Sequence, residues 1–418
     1  MALAVGIFAV ALAVIASDRV HRTKIALLGA ALVVVTGTID QEHAVEAIDF
    51  NTIGLLAGMM LMVKLTETTG VYTYLAIRAG QLSGGRPLAV VVALAGTTAV
   101  LSAFLDNLTT VLLVVPITFL LADALDIDPI PLVIIEIITS NIGGTATLIG
   151  DPPNIIIAGA TDLSFLAFIT NLAPIAAVAF VVVTALLYLS YRPRLRVEPE
   201  ARRRVMELDA EEAIEDRDEL RRTVPILIAT ILLFFVHKAV GLEPATVALS
   251  GATVMLLVTR QQLDEALAGI EWPTLFFFLG LFVMVGALEE TGAIGEVAEG
   301  IGTVTDGDRT AELLGITWIS AIGSGVVDNI PFTATMVPVV EELQGRDTGD
   351  DAYWWALSLG ACFGGNLTLI AAAANVAAAG MASRAGTPIG FVTFLRAGLP
   401  ATLVSMALAT AYIAIRYL

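Results

Sequence analysis

Apolar runs of about 16 to 25 residues recur along nearly the whole chain, each closed by a short polar or Gly/Pro-containing break. Runs of that length match helices crossing a hydrocarbon layer roughly 30 Å thick. Apolar length and breakers predict helices at 1–16, 24–39 and 51–66, an apolar pair at 88–105 and 108–122, a broken segment at 131–160, and a helix at about 165–190. A strongly polar stretch, Arg192 to Arg222, follows; Pro193, Pro199 and alternating charges predict an extramembrane linker with a short amphipathic helix. Beyond it come helices at about 224–240, 245–259 and 272–288, a pair at 311–326 and 330–343, a broken segment at 352–383 and a last helix at 390–416.

The second series repeats the first in its residues as well as its plan. A shift of 222 positions carries Asp106-Asn107 to Asp328-Asn329, Pro116 to Pro338, Gly70 to Gly292, Asp49 to Glu271 and Gly29 to Gly251. A shift of 221 carries Gly143-Gly144 to Gly364-Gly365 and Asn154 to Asn375. Such constant offsets mark an internal duplication. The expected units are a first repeat at 1–192, a linker at 193–222 and a second repeat at 223–418. Five crossings and one hairpin per half, an odd number, invert the second half relative to the first. The fold class expected is an all-α polytopic membrane protein of two inverted five-helix repeats, each with a re-entrant helical hairpin and a broken transmembrane helix.

Positive charge orients the chain. The linker carries Arg194, Arg196, Arg202, Arg203, Arg204, Arg217, Arg221 and Arg222, and the first loop carries Arg19, Arg22 and Lys24. Both belong in the cytoplasm. The acidic loops at 40–49, 296–308 and 341–351 then fall outside, as do both termini, in a multi-pass protein of the cell membrane. The first apolar run could pass for the core of a signal peptide, but no basic region precedes it and no clear cleavage site follows, so it is read as a membrane helix.

The stretch from Asn141 to Asn154, Asn-Ile-Gly-Gly-Thr-Ala-Thr-Leu-Ile-Gly-Asp-Pro-Pro-Asn, cannot continue as a helix. Its paired glycines and prolines free backbone groups that hydrocarbon cannot satisfy, so such backbone survives only around a protein-lined cavity. A discontinuous helix whose ends coordinate a small solute or ion is the device this predicts. The pair at 88–122 is read as a re-entrant hairpin from its tip, because Leu105-Asp106-Asn107-Leu108 lacks the glycines, prolines and multiple charges of a surface turn. Arms of about 15 residues also suit two spanning helices whose Asp and Asn serve as caps.

Two tips and two breaks meeting near the midplane bring four polar clusters together. Asn107, Thr109, Thr110, Asn141, Thr145, Thr147 and Asn154 supply neutral oxygens from the first half, and Asn329, Thr333, Asn366, Thr368 and Asn375 from the second, with Gly143, Gly144, Gly364 and Gly365 allowing close approach. Oxygens of this kind suit Na⁺, and half-helix N-termini suit anions. Asp106, Asp151 and Asp328 are the ionisable candidates, with Glu136 placed close enough to the cytoplasmic end to snorkel, as Lys64 does. A desolvated carboxylate beside a cation is a natural point of proton and sodium exchange.

Composition narrows the field further. With 57% hydrophobic and 15% charged residues and a mean hydropathy of +0.86, the chain is too apolar for a soluble enzyme. A net charge of −18 argues against nucleic acid. The single Cys362 and the scattered His21, His43 and His237 write neither a disulfide framework nor a zinc site. No phosphate-loop or dinucleotide motif is present and no cofactor is implied, so energy comes from a gradient or a separate partner. The sequons at Asn107 and Asn366 fall inside the bilayer and are discounted. An intramembrane enzyme would need a metal-ligand pair or paired aspartates on adjacent turns, and neither motif is written here.

At these residues the chain resembles the ion transporter superfamily, and within it the arsenite permease and NhaD-type sodium/proton antiporter group, P-protein-like branch. The resemblance is carried by Ser102-Ala-Phe-Leu-Asp-Asn-Leu-Thr-Thr110, by the stretch 141–154, by Asp328-Asn-Ile-Pro-Phe332 and by Gly364-Gly-Asn366. It implies opposed hairpins, a scaffold that forms a homodimer, a transport region moving as an elevator, and Na⁺ or H⁺ as coupling ion. Sodium/proton antiport and arsenite or anion permeation are the activities it implies; a dicarboxylate symporter and a passive anion channel of the same fold are the alternatives. Leu367, Ala371 and Ala373 depart from the Gly, Gly and Ser of the family's second broken segment, which removes a hydroxyl from that cluster.

Overall fold

Helices run from end to end of the chain. The computed structural model describes residues 1–17, 19–346 and 351–418; the protein is 79% helical and its described residues contain no strand. Ala2–Ala16, Arg22–Val35 and Phe50–Glu67 open the first half, and Arg217–Val236, Pro244–Val258 and Trp272–Glu290 open the second. Six helices among the described residues are long and apolar enough to cross a membrane, Phe165–Tyr191 and Phe391–Arg416 among them. At 1.5 Å per residue their 27 and 26 residues reach about 40 Å, longer than a hydrocarbon layer of roughly 30 Å. Large apolar side chains such as Val10, Leu28, Val181, Leu232, Leu257 and Ile415 lie exposed around the outside, a surface that suits lipid rather than water.

Each predicted hairpin is two helices joined by almost nothing. Pro87–Phe104 and Asn107–Leu125 are separated by Leu105 and Asp106 alone, and Arg309–Val326 and Asn329–Arg346 by Val327 and Asp328. The broken segments are Ile130–Gly144 with Pro152–Gly159, and Ala352–Gly364 with Ala373–Arg384. Pro116 and Pro338 sit at matching places inside the second arms of the hairpins. The acidic loop predicted at 341–351 lies partly outside the described residues.

Packing between the halves is reciprocal. Phe50–Glu67 packs on Pro244–Val258 while Trp272–Glu290 packs on Arg22–Val35; the second arm of each hairpin packs on the second piece of the other half's broken helix. These contacts recur between shifted twins, as a pseudo-two-fold arrangement requires. Four short helices were not anticipated: Gln41–Glu46, Val71–Leu82, Leu263–Ala268 and Ala293–Val304. The longer two start from Gly70 (φ 77°) and Gly292 (φ 75°), whose left-handed backbone turns the chain sharply after a membrane helix.

The linker does contain its short helix, Pro199–Glu207, and it docks instead of dangling. Arg204 Nε donates to the Ala124 carbonyl (2.8 Å), Gln81 Nε2 to that of Leu208 (2.6 Å) and the Glu215 amide to that of Thr69 (3.1 Å). All three tie it to the open end of the first hairpin and the turn before it.

Candidate functional site

The hairpin tips form because an aspartate caps each second arm from inside the protein. Asp106 accepts from the Thr109 amide (2.8 Å) and from the Thr109 hydroxyl. Asp328 Oδ1 accepts from the Ile330 amide (2.9 Å). Leu105, Asn107 and Asn329 are buried, so neither tip is a solvent-facing turn.

The two breaks are held open by a duplicated set of side-chain bonds. Asn154 Nδ2 donates to the Thr145 and Thr147 carbonyls (3.1 and 2.8 Å), and Asn375 Nδ2 to those of Gly365 and Thr368 (2.8 and 3.0 Å). Thr147 donates to the Ala103 carbonyl, and Thr368, its twin, to that of Gly325. Ser102 donates to the Ser140 carbonyl and Ser324 to that of Ala361. Each amide thus replaces partners that the unwound backbone lost, which is what a low-dielectric interior demands. Gly143 and Gly364 let the first hairpin arms in: a Cβ there would lie 2.3 and 2.5 Å from the Ala99 and Ala321 carbonyl oxygens.

Asn141 ties the halves together. Its Nδ2 donates to Asn366 Oδ1 (2.8 Å) and Asn375 Oδ1 (3.1 Å), and its Oδ1 accepts from Asn107 Nδ2 (3.1 Å). Its twin is Cys362, buried and 3.8 Å from Asn154 Oδ1. Leu367, one of the departures from the family pattern, is accommodated against Gly325, where a Cβ would come within 2.5 Å of it.

Beside this knot lies a small cavity of about 30 Å³. Three carboxylates line it, Asp106, Asp151 and Glu271, together with Asn107, Asn329, Thr274 and the apolar Leu56, Met60 and Phe278; its one cationic side chain is Arg22. Asp151 is fully buried; Oδ1 accepts from Asn329 Nδ2 (3.1 Å), and Oδ2 has no hydrogen-bond partner among the described residues. Nor does its side chain cap the helix that starts at Pro152. A carboxylate oxygen buried without a partner, in a cavity that two further carboxylates share, calls for a proton or a metal cation.

Asp106, Asn107, Asp151 and Asn329 therefore face this cavity. Asp328 lines an adjoining cavity and Thr109 a third, while Thr145, Thr147, Asn154, Thr333, Thr368 and Asn375 direct their donors to backbone carbonyls. Among the described residues the buried Thr110 hydroxyl has no partner, nor has Asn366 Nδ2; Gly144 packs on Asn107, and Gly365 has more room. Glu136 does not snorkel: it is fully buried and accepts from the Thr118 hydroxyl, because its helix turns it toward the first hairpin instead of the membrane face. Arg22 is not a free loop charge either. It turns inward to Asp328 at 3.0 Å and lies over the Phe277 ring.

Glu271 and Arg22 were missed as site residues, since their sequence neighbourhoods read as an acidic loop twin and a topogenic arginine. The two halves also differ where they meet this site. Thr52 Oγ1 lies 3.3 Å from the Ile155 carbonyl, and the Asp49 carboxylate fills the space a side chain on Gly159 would need. Their twins Thr274 and Glu271 face the cavity instead.

A family model described as CitMHS, citrate transporter, matches residues 12–360. An uncharacterized transporter of Mycobacterium tuberculosis is 44% identical over 425 residues, 99% of this chain and 98% of its own length. The P protein of Homo sapiens is 33% identical over 500 residues, 99% of this chain and 60% of its own length. Among solved structures, the YdaH transporter of Alcanivorax borkumensis matches with a TM-score of 0.60 over 89% of this chain and 86% of that one; at 16% identity the likeness is one of fold.

Proposed function

The chain belongs to the CitMHS citrate transporter family of the ion transporter superfamily, and we propose that it is a secondary active transporter whose inner cavity binds Na⁺ or H⁺ as the coupling cation. The observation that carries this reading is the charge of the cavity: Asp106, Asp151 and Glu271 face it against a single arginine already paired with Asp328. A desolvated cluster of that kind favours a cation and repels a free polyanion. Sodium/proton exchange is therefore the favoured activity, with uptake of a carboxylate such as citrate, named in the family's description, as the second reading.

The inequality of the halves supports alternating access. Asp49 and Thr52 are closed on the first broken helix, whereas Glu271 and Thr274 stand open to the cavity. Sliding of the hairpins and broken helices along the scaffold helices would exchange the two arrangements, which supports an elevator-like movement. Buried tips joined by two residues favour re-entrant hairpins, and the docking of the Arg-rich linker beside the first hairpin's open end favours a cytoplasmic linker with both termini outside. The homodimer and the three-part division at 192 and 222 are retained as parts of this proposal.

The test is flux in proteoliposomes containing the purified chain, with Na⁺/H⁺ exchange, citrate, dicarboxylate and arsenite uptake measured side by side. Sodium-driven proton movement, absent from liposomes carrying Asp106→Asn, is expected. Carboxylate or arsenite uptake without cation exchange would replace the reading, and flux down a gradient with no coupling would make the protein a channel.

A further inference from the structure

Duplication would lead one to expect two equivalent carboxylate sites, one at each hairpin tip, yet the tips are electrically different. Asp328 is 8% exposed and holds Arg22 Nη1 at 3.0 Å. Its twin Asp106 has no basic partner among the described residues and shares its cavity with Glu271 and Asp151. The asymmetry is written in the chain, because the 222-position shift that carries Asp106 to Asp328 carries Arg22 to Pro244, a helix-starting residue with no charge.

The place of Arg22 is equally specific. It begins Arg22–Val35, where His21 accepts from the Thr23 amide and the Thr23 hydroxyl donates to the Pro273 carbonyl (2.7 Å), so the side chain is launched from a fixed turn. The guanidinium packs over Phe277 at 5.1 Å from the ring centre, a contact that holds a planar cation in place. It also lines two cavities at once: the inner one, and an outer one of about 320 Å³ bounded by Ile15, His21, Val327, Asp328, Ile370 and Val376. Arg22 thus stands, with Leu108 and Ala373, in the wall between them and reaches Asp328 on the outer side.

We infer that the Arg22 guanidinium is a built-in counter-ion that occupies the second hairpin's carboxylate, closing Asp328 to mobile cations and confining cation binding to Asp106, Asp151 and Glu271. A tethered cation held at contact distance excludes a free ion of the same charge from the same oxygen, and with Asp328 neutralised the Arg22 charge does not oppose a cation in the inner cavity. The inference rests on the cation-binding reading above and adds which of two duplicated sites is used.

The experiment is a binding titration of the purified full-length chain, with Na⁺ at fixed pH and with protons in the absence of Na⁺, read by thermal stabilisation and by flux in proteoliposomes. In Asp328→Asn the arginine is left unpaired beside the cavity, and the Na⁺ midpoint is expected to rise tenfold or more. Adding Arg22→Gln to that variant removes the stray charge and is expected to return the midpoint to within about threefold of the wild type. Arg22→Gln alone exposes Asp328 and is expected to steepen the titration, as a second cation binds.

The inference is overturned if Asp328→Asn and the double variant are equally impaired, since Asp328 would then itself hold the cation, or if Asp328→Asn has no effect. Should Arg22→Gln alone fail to fold, the neutral double variant still decides the question. A wild-type protein that responds to neither Na⁺ nor protons would instead defeat the cation-site reading, which separates the two failures.

Discussion

Asn154 and Asn375 look like ligands in the sequence and act as staples in the structure, each giving both amide hydrogens to carbonyls of its own break. Asn154→Ala would orphan the Thr145 and Thr147 carbonyls and the Ser358 hydroxyl that donates to it. At roughly 1–3 kcal/mol for each buried group left unpaired, a loss of at least about 2 kcal/mol is expected, seen as a lower unfolding midpoint in detergent. Asp151→Asn should behave differently. The carboxylate makes no cap bond and leaves one oxygen unpartnered, so the variant is expected to unfold near the wild-type temperature while transport loses most of its pH dependence. A thermal collapse in Asp151→Asn, with pH dependence intact in any folded fraction, would make the residue structural.

Elements were legible wherever apolar length and breakers agreed. The hairpin arms, both broken helices and the two long helices at 165–191 and 391–416 fall within a few residues of the expected bounds. The duplicated Asp-Asn tips and Gly-Gly breaks were visible for the same reason, since buried irregular backbone tolerates few residue types. What stayed hidden depends on packing. Arg217–Val236 begins seven residues before the apolar run, because Asp216 accepts from the Asp218 and Glu219 amides and extends the helix through charged turns. The hydrogen bond from the Glu219 amide, chiefly, holds the Asp216 carboxyl below its ordinary value of 3.8. A depressed folded-state pKa means that the cap contributes at neutral pH and is lost only as pH falls through a value under 3.8. Limited proteolysis of the linker should therefore be unchanged between pH 7 and pH 5 in the wild type, and faster at pH 7 in Asp216→Ala.

At the scale of the whole molecule, the reciprocal packing of shifted twins was foreseeable from constant offsets, whereas which of the unmatched residues meet at the site was not. Sequence alone made Asp106 and Asp328 a matched pair; only the fold brings Arg22 to one and Glu271 to the cavity of the other. Orientation and alternation share one test. Cys362 is buried and should stay silent, so single cysteines report cleanly: one at Arg203 is expected to label only from the cytoplasm and one at Glu299 only from outside. A cysteine at Thr274 should react while one at Thr52, buried against Ile155, is protected, and conditions that drive transport should bring the second into reach.

Competition between protons and sodium at Asp106, Asp151 and Glu271 is the core of this account, and it can be read without any assumption about the transported substrate. Purified protein in weakly buffered solution is titrated with NaCl while released protons are followed with a pH indicator, choline chloride serving as the control. Saturable proton release on adding Na⁺, diminished in Asp151→Asn, is the predicted result; sodium binding with no proton release, or release unaltered in Asp151→Asn, would contradict it.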